Sequence, residues 1–228
     1  AATTGDNNIA IGANAGDAIT STYGAVLIGK DAGTALTTGG RNTAIGYETL
    51  TTAVGLTHNI AIGYQAMKDS SAATSHRNIA IGSFVMDSIG SNVANDNIGI
   101  GYNSLTALTT GDYNVALGDH ALFTVESGEV NVGVGTSALR TSTASQNTAL
   151  GGNAMYANTT GGNNVAVGHN TLDKLTIGTS NTAVGKDAMT DEVLGNGSVA
   201  IGLGSLFKQA MDGDNEVSHN TAVGGYAG

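Results

Sequence analysis

The sequence predicts an all-β fold, a parallel β-solenoid (β-roll) of about thirteen coils of about 17 residues each. Three observations carry that expectation. A five-residue phrase, Asn42-Thr43-Ala44-Ile45-Gly46, recurs along the chain, for example as Asn59-Ile60-Ala61-Ile62-Gly63, Asn78-Ile79-Ala80-Ile81-Gly82, Asn114-Val115-Ala116-Leu117-Gly118, Asn164-Val165-Ala166-Val167-Gly168 and Asn181-Thr182-Ala183-Val184-Gly185. Its closing glycine returns at a nearly constant step. The residues just before that glycine alternate in size, as strand residues do.

The glycine supplies the register. It stands at Gly12, Gly29, Gly46, Gly63, Gly82, Gly101, Gly118, Gly135, Gly151, Gly168, Gly185, Gly202 and Gly224. The step is 17 residues, except 19 at Gly63→Gly82 and Gly82→Gly101, 16 at Gly135→Gly151 and 22 at the end. A β-branched residue lies three before each glycine, and Ile, Leu or Val lies one before it. Two stiff or bulky apolar positions flanking a small one suit a pleated strand. A helix is excluded because a glycine in every coil, in phase, would interrupt it repeatedly. The glycine itself is expected to turn the chain through positive φ.

A second short segment follows, opening with Ala-Leu or Ala-Met, as at Ala66-Met67, Ala121-Leu122, Ala138-Leu139, Ala154-Met155 and Ala188-Met189. Further apolar positions come three residues on, at Leu36, Ile89, Leu108, Val125 and Leu175, and many coils close on Thr-Thr-Gly. Two strands and two turns would fill such a coil. Stacking at about 4.8 Å per coil predicts a rod roughly 60 Å long, with residues 1–228 as one repeat domain.

The ladders follow from the register. The Ile/Val positions are expected to form a dry interior. The residue four before each glycine forms a polar ladder of Asn8, Asn42, Asn59, Asn78, Asn97, Asn114, Asn131, Asn147, Asn164, Asn181 and Asn220, broken by Ala25 and Ser198. Asparagine can bond along the stack and hold the turn that feeds the strand. The position between the two aliphatics is Ala, with Gly99 and Gly133 smaller and Leu27 the large exception. Facing the other way, that ladder of small residues is expected to meet a neighbouring chain in preference to the far wall of a folded-over coil.

Composition sets limits on function. There are 35 glycines, no proline, no tryptophan and no cysteine, so neither a large aromatic core nor disulfides nor cysteine metal sites are available. A net charge of −10 argues against nucleic acid and against anionic membrane surfaces. The apolar runs are far too short to insert into a bilayer.

At the phrase Gly39-Gly40-Arg41-Asn42-Thr43-Ala44-Ile45-Gly46-Tyr47-Glu48-Thr49-Leu50 the chain resembles a known group. Asn-x-Ala-Ile-Gly repeats are similar to those of YadA-type heads of trimeric autotransporter adhesins. The longer form with Tyr-x-x-Leu and Thr-Thr-Gly resembles repeats of bacteriophage tail fibres. The coils here are longer than the compact adhesin-head repeat, which favours the fibre branch. The resemblance implies a left-handed β-roll associated in threes, a homotrimer that mediates attachment to a cell-surface receptor or glycan. It implies a segment of a longer fibre, extracellular on a bacterial surface or virion. It brings no receptor-contact residues with it.

Catalytic chemistry is not evident in the sequence, and no enzyme is expected. His58, His76, His120, His169 and His219 show no metal-ligand spacing. No nucleophile elbow or phosphate loop stands in a strand–helix setting. The acidic residues Glu126, Glu129, Asp191 and Glu192 lie in variable turns without a walled cleft or aromatic sugar platform. No cofactor is called for. The best metal candidate is Asp212, Asp214 and Glu216, oxygen donors around Gly213 that could wrap calcium, against the plainer reading of a solvated acidic loop. Tyr47, Tyr64 and Tyr102 follow turn glycines and are candidates for surface recognition, the alternative being ordinary turn packing. Binding is also expected at the longer loops Asp69–His76 and Asp87–Asn95 and at Lys208–His219. The competing function is a monomeric solenoid that binds ice or polysaccharide.

Overall fold

A computed structural model describes residues 5–70, 75–90, 92–191, 193–208 and 219–228. Among the described residues there are thirteen strands, each of three residues, and no helix. The chain divides into two compact units. Unit 1, Ala1–Asn114, carries β1 (Ile9–Ile11), β2 (Val26–Ile28), β3 (Thr43–Ile45), β4 (Ile60–Ile62), β5 (Ile79–Ile81) and β6 (Ile98–Ile100). Unit 2, Val115–Gly228, carries β7 (Val115–Leu117), β8 (Val132–Val134), β9 (Thr148–Leu150), β10 (Val165–Val167), β11 (Thr182–Val184), β12 (Val199–Ile201) and β13 (Thr221–Val223).

Within each unit neighbouring strands pair residue for residue, so that Ala44 lies beside Ala61, Ala61 beside Ala80, and Ala166 beside Ala183. The fold is the parallel β-solenoid that the repeat predicts. Side chains alternate across a strand, so a shift of one residue would reverse every face, and the strict repeat prevents that shift.

The coil contains one strand, not two. After the strand the turn glycines take φ between 126° and 140°, and the residues two and four further on are left-handed, as Glu48 (φ 54°) and Leu50 (φ 48°) show. A chain that alternates into the left-handed region cannot stay extended, so the second apolar segment is a series of turns. Its Leu and Met residues, from Leu50 to Leu206, have φ of 48° to 53°. That conformation costs a non-glycine residue about 1–2 kcal/mol. Complete burial of the side chain contributes about 1.5–3 kcal/mol in return. The backbone donor is used as well: Met67 N–H donates to Val85 O at 2.9 Å in the next coil.

Glycine is required at the turn by two independent constraints. At Gly46, φ is +138°, and an added Cβ would lie 2.1 Å from the Gly63 carbonyl oxygen of the next coil. The same close approach recurs up each unit, so a side chain here would push two coils apart.

The core lies on the opposite side of the strand from the one the sequence suggests. Ala44, Ala61, Ala80, Ala116, Ala149, Ala166, Ala183 and Ala200 are fully buried, while the flanking Ile, Val, Leu and Thr are half-buried or exposed. The interior is the alanine ladder packed against Leu50, Met67, Met86, Leu105, Leu122 and their equivalents, with Leu36, Ile89, Leu108, Val125 and Leu175 beside them. The physical reason is the narrowness of the coil. Leucine or methionine reaching over from the turn fills the cross-section, leaving room for a methyl group or less. At Gly99 an added Cβ would fall 2.7 Å from Val85 Cγ1 and 3.1 Å from Met86 Cε.

Leu27 confirms that volume rule by its exception. Gly16 and Gly33 stand where later coils have Leu or Met, and a Cβ on either would come within 2.9 Å of a Leu27 methyl. The first coils therefore fill the same space from the strand side.

The asparagine ladder forms as expected, and it is fully buried from Asn42 onward through Asn181. Asn59 N–H and Nδ2 both donate to Asn42 Oδ1, at 3.0 and 3.2 Å, and Asn78 repeats the pattern on Asn59 at 2.9 and 3.2 Å. Each amide also ties down the coil-closing turn, as in Asn42 Nδ2 to Leu56 O (2.6 Å) and Asn181 Nδ2 to Gly195 O (2.7 Å). Where Ala25 and Ser198 replace asparagine, their backbone N–H groups still donate to Asn8 and Asn181.

Candidate interaction surface

Turning the alanines inward turns the aliphatic residues outward. Each strand presents two of them on its outer face, at its first and third positions. In unit 1 the third position is Ile in all six strands, and in unit 2 it is Leu, Val or Ile. These side chains remain substantially open: Ile100 is 38 % exposed, Ile201 41 % and Ile11 59 %. Solvent-facing strand positions usually carry Thr, Lys or Glu, and here Thr appears only at the first position, at Thr43, Thr148, Thr182 and Thr221. A contiguous apolar column on a monomer marks a contact surface. The neighbouring-chain contact expected at the alanines is therefore not available there, and the face that can make one is the Ile/Val face.

A second surface feature is aromatic and lies in unit 1. Tyr47 and Tyr64 stack with centroids 5.4 Å apart at 5°, Tyr64 meets Phe84 edge-on at 5.2 Å, and Phe84 meets Tyr102 edge-on at 6.0 Å. The three tyrosines are thus brought into one stripe, and Phe84 completes it. Sequence reasoning missed Phe84 because Ser83 holds the position matching the tyrosines. The signal was an aromatic one residue later. Lys30 Nζ sits 5.0 Å from the Tyr47 centroid, and Tyr47, Tyr64 and Tyr102 all remain exposed.

Charges beside the stripe are paired. Glu48 Oε2 accepts from Lys68 Nζ and Gln65 Nε2, each at 2.7 Å, and these two together with Tyr47 lower its pKa from 4.5 to about 2. Asp31 is held below its ordinary value by Asn14 and then Lys30. Arg77 makes a two-pronged pair with Asp96 at 2.5 and 2.7 Å, which lowers the Asp96 pKa. These exposed pairs favour stacking of one coil on the next and contribute little each.

The remaining sequence candidates are scattered. His58 Nε2 faces Arg41 at 3.0 Å, His76 Nδ1 faces Thr57 Oγ1 at 3.4 Å, and His120 pairs with Asp119 and tilts onto Phe123. Among the described residues no three His, Asp or Glu cluster to hold a metal. Asp212, Asp214 and Glu216 lie outside the described residues, as do Glu192 and parts of all three long loops. Glu126 and Glu129 are exposed, and Asp191 is bound by Lys174 at 2.5 Å.

A second cluster that sequence reasoning missed lies in unit 2. Arg140 has its guanidinium 5.3 Å from the Phe123 ring and 5.5 Å from the Tyr156 ring, and its Nη1 donates to the Tyr156 hydroxyl at 2.9 Å. The spacing of these three residues equals the coil step, so the register alone could have paired them. The chain matches no model of a known protein family, no curated protein and no solved structure.

Proposed function

We propose that the chain is a structural and adhesive segment of a homotrimeric attachment fibre, a phage tail fibre or bacterial surface adhesin, with its three copies joined through the outward Ile/Val ladders. In this reading it works outside the cell or on a virion, extends the fibre, and mediates host attachment by binding a receptor or glycan. The role is mechanical and adhesive rather than catalytic, with no bound cofactor.

The observation that carries the reading is the outward aliphatic ladder on strand after strand. Burying such side chains contributes roughly 25 cal/mol per Å² of apolar surface removed from water. A regular flat column of that kind is matched by the same column on another copy. The homotrimer and its fibre setting come from the likeness of the Asn-x-Ala-Ile-Gly phrase to adhesin-head and tail-fibre repeats.

The competing monomeric ice-binding reading has less support. Thr37, Thr159 and Thr176 each turn the hydroxyl back to donate to a carbonyl of the next coil, at 3.2, 3.0 and 3.1 Å, instead of offering a free hydroxyl array. Sedimentation equilibrium tests the proposal. Three chains give about 68 kDa against 22.6 kDa for one, and a single-chain mass at micromolar concentration ends the trimer.

A further inference from the structure

The chain has few cations, and most of the described ones are already spent. Lys30, Lys68, Arg77, Lys174 and Lys186 each lie within 3.3 Å of a carboxylate. Arg140 makes no ion pair among the described residues. It is held instead between two aromatic rings and the Tyr156 hydroxyl, and its other N–H groups have no acceptor among the described residues. Stacking fixes a guanidinium without consuming its hydrogen-bonding edge, and that edge matches a planar carboxylate in two-pronged fashion.

The column continues beyond the arginine. Phe123, Arg140, Tyr156 and Asp173 all stand five residues after a turn glycine, in four successive coils. The backbone ties those coils directly, through Thr124 N–H to Arg140 O at 3.0 Å and Ala157 N–H to Asp173 O at 2.9 Å. Asp173 is half-buried and accepts no side-chain hydrogen bond among the described residues, because its neighbour Lys174 is turned to Asp191. Burial pushes the Asp173 carboxyl above its ordinary value, the sign of an acceptor lacking a partner. At the foot of the column His120 tilts onto Phe123 with centroids 5.1 Å apart.

We propose that Arg140, Tyr156 and Asp173 form a binding site for an acidic, carboxylate-bearing saccharide. The sugar carboxylate pairs with the Arg140 fork, the ring lies along Tyr156, and Asp173 takes hydroxyl groups further along the chain. Arg140 and Asp173 are two coils apart, about 10 Å, the span of two sugar rings. A chain with a negative charge on every unit, nucleic acid or polyuronate alike, would meet repulsion at Asp173 and across an acidic protein, so the matching saccharide carries a single carboxylate beside neutral rings. The inference rests on the surface-binding part of the proposed function and is independent of chain association.

Calorimetric titration of the full chain with 3′-sialyllactose, which carries one carboxylate, and with neutral lactose tests it. Binding of the acidic oligomer alone is expected, with Arg140→Lys weakening it at least about tenfold. Asp173→Asn should weaken it by a smaller factor, and both variants should keep the wild-type melting temperature within a few degrees. Arg140→Ala serves as a second variant, with circular dichroism reporting its fold. No heat at millimolar ligand, equal binding of lactose, or unchanged binding by folded Arg140→Lys overturns the site. Competition by inorganic phosphate at the same concentration would reduce it to a bare anion trap and overturn the saccharide. A single-chain mass with acidic-saccharide binding removes the trimer and keeps this site. A trimer without binding does the reverse.

Discussion

The two faces of one strand obey opposite rules although their residues alternate along the same three positions. On the inner face of β4, Ala61 is fully buried, and nothing larger has room because Met67 reaches across the coil. On the outer face Ile60 and Ile62 are half-open, and their size costs nothing inside. The difference teaches that, in a coil this narrow, the small residue marks the core and the large residue marks the outer face. A wide β-sandwich teaches the reverse, because there two sheets meet through large side chains.

The strongest way to break this comparison is to empty the core where it is filled from the strand side. Leu27→Ala should cost about 2–5 kcal/mol in chemical denaturation, the range for a buried Leu truncated to Ala. Adding Gly33→Leu to Leu27→Ala should recover most of that loss, since Leu50 occupies the matching place at φ 48°. Failure of the double variant to recover would show that the two positions do not share one volume.

Next in size is the buried amide ladder. Asn97 accepts from Asn114 N–H at 2.8 Å and donates to Gly111 O at 2.9 Å. Asn97→Ala leaves such groups unpaired inside, at about 1–3 kcal/mol each, and should lower the denaturation midpoint clearly. An unchanged midpoint would mean that the ladder only decorates the turn.

The outer face is sharpened by the pair Ile62→Lys and Ile81→Lys. The circular dichroism spectrum should stay that of the wild type, while the proposed trimer falls to the single-chain mass in sedimentation. Loss of the β spectrum instead would place these isoleucines in the core.

The smallest effect is electrostatic. The Glu48 pKa is lowered on folding, so its contribution is fully present above the ordinary 4.5 and fades as pH falls towards about 2. The group is exposed, so the effect is slight. Melting curves over that window should be marginally steeper in pH for the wild type than for Glu48→Gln, and identical slopes would discount the pairing with Lys68.

Much of the coil could be read from residue order. The glycine column from Gly12 to Gly224 set the register, and the asparagines four residues earlier were recognisable as a turn-holding ladder. The second strand was misread because Leu50, Met67 and their equivalents are apolar and follow a turn. Only their φ, unusual for such residues, makes them turn positions. The aromatic stripe was three-quarters visible, since Phe84 left the tyrosine register by one place. Arg140 escaped notice because its partners Phe123 and Tyr156 lie a full coil away on either side.

By itself, the order of residues determined that this chain stacks in register, where each coil turns, and which positions form columns, because a short exact repeat aligns like with like. It held one clue to the interior as well: the large Leu27 in the small column coincides with Gly16 and Gly33 in the large one. Which face turns inward was settled only by the closed coil, through the width left between the strand and the turn across from it. That width accepts one large side chain per level, and the turn supplies it.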